Sequence, residues 1–92
     1  MLEVLVLRLI GDEKVYVADI LKRLDQTEFK TAAGTLYPLL GRLRRQGLIE
    51  HEWKESPTGP PRKYYTLTRT GAQRLEALTS FWSRVNNALE SD

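Results

Sequence analysis

The sequence predicts a mainly α protein with one small β-hairpin, an α+β fold class, on three observations. Leu36, Leu39, Leu40 and Leu43 recur at the spacing of one helix face. A Pro/Gly cluster, Ser56-Pro57-Thr58-Gly59-Pro60-Pro61, separates two short segments that alternate as strands do. Beyond it, Leu75, Leu78, Trp82, Val85 and Leu89 advance in steps of three and four, a heptad-like seam. With 92 residues the chain allows one compact domain. The core of such a domain is small enough that association of copies is expected to help it.

Composition removes several classes of function. Apolar residues make up 41% and charged residues 28%, the balance of a folded globular chain rather than a disordered one. Cysteine is absent, which excludes disulfides, thiolate metal sites and thiol nucleophiles. The sole histidine, His51, rules out the common His-pair metal sites, and no credible nucleophile–base pair accompanies it. No catalytic residue, metal or cofactor is expected. No run of about 18 apolar residues exists to span a bilayer. The opening MLEVLVLRLI carries Glu3 and Arg8 and runs into Gly11-Asp12-Glu13, unlike a signal peptide. A cytoplasmic protein without a membrane partner is expected.

Leu2 to Ile10 is spaced for a helix, although its β-branched content leaves a strand open. Gly11-Asp12-Glu13 breaks it. A second helix is predicted from about Tyr16 to Leu24, with Val17, Ile20, Leu21 and Leu24 inward. Gln26 to Thr31 reads as a connection. The third helix carries the leucine face and stops at Gly47. Pro38 fits its first turn if Gly34 or Thr35 is the N-cap, whereas a start at Thr31 makes Pro38 a kink. Leu48 to Lys54 and Arg62 to Thr68 read as strands, with residues 56–61 as a loop throughout. Tyr65 and Leu67 face the core behind the hairpin. Thr68 caps a last helix that runs to about Leu89.

Helix, helix, helix, hairpin, helix is the order of a winged helix-turn-helix. In it the third helix enters the DNA major groove and the hairpin, or wing, lies along the backbone or minor groove. With the leucines inward, Thr35, Tyr37, Pro38, Arg42 and Arg45 point outward. Thr35 and Tyr37 lie near the helix N-terminus, where hydroxyls donate to phosphate and the helix dipole favours anions. Lys54, Arg62 and Lys63 bracket the Pro/Gly loop and group three cations near the hairpin tip.

Net charge is only +2, but it is unevenly placed. Arg42, Arg44, Arg45, Lys54, Arg62, Lys63 and Arg69 face only Glu50, Glu52 and Glu55 over residues 42–69. The helix arginines serve equally well as solubilising groups that complement a helix C-terminus. Exposed cations add little to folding, yet each phosphate contact strengthens DNA binding by releasing counterions. Double-stranded DNA is therefore the expected partner. The rival reading is a winged helix that binds a protein through the same face, and it lacks the steep salt dependence of phosphate contacts. Trp53 is ambiguous between wing packing and contact, and His51 is assigned no role.

The strings GTLYPLLGRLRRQGLIEHEW and GPPRKYYTLTRTG resemble the PadR family over roughly residues 16–90. The resemblance implies a repressor-type transcriptional regulator that acts as a homodimer on a near-palindromic operator. Residues 1–69 would form the winged helix-turn-helix and residues 70–92 a C-terminal dimerisation helix. By motif, Thr35, Tyr37 and Pro38 fall on the recognition helix and Arg62, Lys63 and Tyr64 on the wing. Of the family's usual His-Gly-Tyr start to the second helix, Val15-Tyr16-Val17 keeps only the tyrosine. The last helix ends soon after Leu89, as in the compact subgroup of the family. Its Phe81-Trp82-Ser83-Arg84-Val85 string is similar to that of the multidrug-sensing PadR-like repressors. The dimer seam is read as Leu75, Leu78, Trp82, Val85 and Leu89. Trp82 with Phe81 either sandwiches a planar apolar effector at the twofold axis or simply packs the interface.

Overall fold

The structure, a computed structural model, describes residues 2–11 and 14–91. Seven elements follow in order: α1 (Leu2–Ile10), β1 (Val15–Tyr16), α2 (Val17–Asp25), α3 (Ala33–Arg45), β2 (Ile49–Ser56), β3 (Gly59–Leu67) and α4 (Arg69–Glu90). Of the predicted break after α1, Asp12 and Glu13 lie outside the described residues. The first three helices pack Val6, Leu7, Ile10, Ile20, Leu24, Leu36, Leu40 and Leu43 into one core, closed by Leu48, Ile49 and Tyr65. No described helix is long and apolar enough to cross a membrane.

The leucine face of α3 is buried as its spacing requires, but the helix starts earlier than the N-cap reading. Ala32, extended and without a side-chain bond, is the N-cap, so Pro38 sits in the second turn rather than the first. Pro38 has no N–H to offer the Gly34 carbonyl, yet the element continues to Arg45. At the other end Gly47, with φ of 75°, lets the chain turn back. Its N–H donates to the Arg44 carbonyl at 2.9 Å and that of Leu48 to the Leu43 carbonyl at 3.0 Å, a Schellman closure. Leu43 and Leu48 are both buried against the core, which fixes where the wing departs.

The sheet has the order β1-β3-β2 and is antiparallel. The wing is longer than its sequence pattern indicates. Only Pro57 and Thr58 separate the strands, and Gly59, Pro60 and Pro61 belong to β3. These prolines are tolerated because the pairing is irregular between Lys54 and Ser56 and because β1 reaches only Tyr64 and Tyr65. No ladder donor is needed there.

Thr68 caps α4 as expected: its hydroxyl accepts from the Gly71 N–H at 2.9 Å and donates to the Gly47 carbonyl at 2.6 Å. Its backbone N–H adds a bond of 3.1 Å to the Leu48 carbonyl, so the start of α4 is stitched to the turn that follows α3. Farther along, Arg8 donates to the Thr79 hydroxyl at 3.2 Å and Arg74 pairs with Glu3 at 3.6 Å, which ties α4 to α1.

Candidate nucleic-acid interface

The four leucines of α3 turn its opposite side to solvent, and that side has two flanks. Thr35, Pro38, Arg42 and Arg45 border a groove shared with Leu2 and Glu3 of α1. Arg44 borders a separate recess with His51, Glu50 and Glu52 at the root of the wing. Tyr37 stands free at 52% exposure near the start of the helix. Thr35, Tyr37, Pro38, Arg42 and Arg45, the five residues expected outward, all reach solvent, and so does Arg44. Arg44, which the helix pattern does not place among the DNA-facing residues, is the arginine that faces the wing.

Strand alternation divides the wing cations between two faces. Lys54 and Arg62 lie directly opposite each other in the β2–β3 register, on the face that also carries Glu52, Tyr64 and Tyr16. Lys63 pairs with Trp53 on the other face, with His51 and Tyr65, and its Nζ lies 5.3 Å from the Trp53 ring centre. The three cations therefore do not form one cluster at the tip. Lys63 continues the surface that starts at Tyr37 and Arg44, and Trp53, 64% exposed, extends it.

Two electrostatic effects mark this surface. His51 is held below its ordinary value of 6.5, first by burial and then by the nearby positive charges of Lys63 and Arg44. Its ring stacks edge-on with Tyr65, 5.9 Å between centres, and its buried Nδ1 has no hydrogen-bond partner among the described residues. Burial pushes the Tyr65 phenol up. Arg44 and Lys63 thus both lie near the His51 ring, and their charges add to burial in opposing its protonation.

Tyr64, placed on the wing by motif and expected to contact DNA, lies in β3 but is buried, with its hydroxyl donating to Glu52 at 2.6 Å. That bond, with burial second, raises its phenol above the usual value. The strand pattern put Tyr64 opposite Tyr65 in facing, but β1, which covers that face, has no signal in the sequence. Tyr65 is buried behind the wing as expected and Leu67 is half-buried. Tyr16 and Lys14, to which the sequence assigns no part in the wing, join its face. Arg62 lies over the Tyr16 ring at 4.0 Å, and the Lys14 ammonium lies 5.0 Å from the centre of the Tyr64 ring. Among the described residues no cluster of His, Asp and Glu is arranged to hold a metal ion.

On α4, Leu75, Leu78 and Val85 are half-buried, while Trp82 is 42% and Leu89 78% exposed. Phe81 and Trp82 meet edge-to-face with ring centres 5.9 Å apart, and both remain open to solvent.

A three-helix core, a capped long helix behind it and a cationic hairpin beside an outward-facing third helix define the winged-helix class. Comparison with known proteins narrows it. Residues 6–77 match the transcriptional regulator PadR-like family. Among solved structures, a PadR-like transcription factor from Bacteroides fragilis is 41% identical, with a TM-score of 0.88 over 98% of this chain and 87% of that one. A PadR-like transcriptional regulator from Bacillus cereus is 36% identical, with a TM-score of 0.82 over 99% of this chain and 93% of that one. Bacillus subtilis PadR, solved in complex with operator DNA, is 25% identical, with a TM-score of 0.77 over 85% of this chain and 46% of that one. The chain belongs to the PadR-like family of transcriptional regulators.

Proposed function

We propose that the protein is a homodimeric, cytoplasmic repressor that binds a near-palindromic operator and so blocks a promoter. Residues 1–69 bind DNA and residues 70–92 hold the dimer. Tyr37, Thr35 and Pro38 at the start of α3 enter the major groove, Arg42 and Arg45 pair with phosphates, and Lys54, Arg62 and Lys63 reach the backbone from the wing. The observation that carries this reading is the exposed outer side of α3, with Tyr37 at its start, together with the approach of Arg44 of α3 and Lys63 of β3 to the same residue, His51, where helix and wing meet. A relative of the same fold solved with operator DNA supports it.

The dimer reading rests on the stripe of α4, where Trp82 and Leu89 are large, apolar and open. A paired helix would cover them and space two copies of α3 about one DNA turn apart. The aromatic pair of Phe81 and Trp82, doubled across the twofold axis, would take a planar apolar ligand. Such a ligand would relieve repression if it favours a dimer with the wrong spacing between recognition helices.

The test is selection of bound fragments from genomic DNA, followed by affinity measurements on the selected duplex over a range of salt. Tyr37→Ala and Lys63→Ala are expected to weaken binding and leave the solution mass of a dimer unchanged. Wild-type affinity in both variants at moderate salt contradicts the DNA surface, and a monomeric mass contradicts the dimer. Binding of a planar cationic dye, equal in the wild type and Trp82→Ala, removes the effector site.

A further inference from the structure

We infer that Tyr16 is a positioning residue for DNA binding, because its ring seats the Arg62 guanidinium on the wing. This rests on the DNA-binding reading above. Tyr16 ends β1 and immediately precedes α2, so it belongs to the helix-turn-helix rather than to the hairpin. Its backbone N–H donates to the Asp19 carboxylate at 3.2 Å, which fixes it to the first turn of α2. The ring is held in turn by Tyr64, edge-on at 6.1 Å and 87°, and Tyr64 is buried and bonded to Glu52. Onto this supported ring Arg62 lays its guanidinium, 4.0 Å from the centre.

The choice of partner matters. A carboxylate would hold Arg62 by occupying its N–H groups and cancelling its charge. An aromatic face holds it by cation–π attraction and stacking, and leaves the in-plane N–H groups and the full charge for phosphate. Among the described residues Arg62 has no ion-pair partner, and the residue opposite it in the register is another cation, Lys54. Like charges directly across a sheet repel, so Tyr16 is what keeps Arg62 in place. An arginine already ordered in the free protein avoids the cost of being immobilised on binding, a factor of about 2 to 10 in affinity. The clip also joins the wing to the helix-turn-helix, so groove helix and backbone-contacting strand keep one mutual orientation.

The experiment is a double-mutant cycle on a duplex that the wild-type protein selects from random-sequence DNA. Tyr16→Leu is expected to weaken binding about 2- to 10-fold, and Tyr16→Phe, which keeps the face, to bind as wild type. Combined with Arg62→Ala, Tyr16→Leu is expected to cost nothing further. A merely structural role for Tyr16 would instead cost the same in both backgrounds, and that additive result overturns the inference. If Tyr16→Leu does not fold, Arg62→Lys serves in its place, because it keeps the charge but loses the flat stack; undiminished affinity there also overturns the inference. Loss in Lys63→Ala with none in Arg62→Ala rejects the role of Tyr16 and leaves the DNA surface standing. Failure of the wild type to bind any duplex at low salt sinks both.

Discussion

Replacing Gly71 by alanine adds one methyl group, and two opposing effects decide its sign. Gly71 is the third residue of α4, where alanine is favoured over glycine by about 1 kcal/mol on helix propensity alone. A Cβ built there lies 1.8 Å from the Leu48 carbonyl oxygen, about 1.6 Å short of an ordinary 3.4 Å contact. The obstacle is backbone, and no rotamer relieves it. Leu48 is buried, and its carbonyl also accepts from the Thr68 N–H at 3.1 Å, so either α4 lifts or that bond breaks. Overpacking of this kind costs about 3 kcal/mol at the upper end of its range and the lost hydrogen bond about 1, leaving a net loss of about 2–3 kcal/mol after the propensity gain. For a chain of this size that is a fall in Tm of roughly 10–20 °C. Thermal unfolding followed by circular dichroism, at matched protein concentration, is the assay. Gly34→Ala is the control, since nothing lies within 4 Å of a Cβ there; its Tm should hold or rise slightly. A Gly71→Ala protein that melts at or above wild type would refute the close approach of α4 to Leu48.

Thr68→Ala removes both the cap to Gly71 and the bond to the Gly47 carbonyl, and is expected to cost about 1–2 kcal/mol in denaturant unfolding; an unchanged midpoint denies the double bond. His51 has its pKa lowered in the fold, so as pH falls below 6.5 the unfolded chain takes up the proton first and stability drops until the folded form is also protonated. His51→Gln should therefore lose less Tm than wild type between pH 7.5 and pH 5, and equal losses would remove His51 as a contributor. Arg44→Ala is expected to weaken binding to the selected duplex and to lower the slope of log affinity against log salt by about 0.9, one phosphate contact. An unchanged slope would return Arg44 to the role of a solubilising group.

Much of this fold was legible locally. The leucine spacing of α3, the stop at Gly47 and the cap at Thr68 depend on residues within a turn or two of each other, and each stands where the pattern put it. The start of α3 was misplaced because Ala32 is an N-cap without a capping side chain. The reach of the wing was underestimated because proline and glycine ordinarily argue for loop; here an edge without a β1 partner makes their missing donors harmless. The outward-facing residues of α3 followed from one helical wheel. The wheel selects Arg42 and Arg45 and passes over Arg44, since nothing in it says that the wing lies beside that flank.

By itself the sequence determined the four helices and the hairpin, the inward faces of α2 and α3, the family and the concentration of positive charge in its middle third. These depend on short-range sterics, on periodicity and on motif. The tertiary structure alone decided that Val15 and Tyr16 pair with Tyr65 and Tyr64, that Tyr64 is covered, that Arg44 turns toward Lys63 and that Arg62 rests on Tyr16. Those contacts join residues far apart along the chain, and a side chain's chemistry does not specify which distant surface will be folded against it.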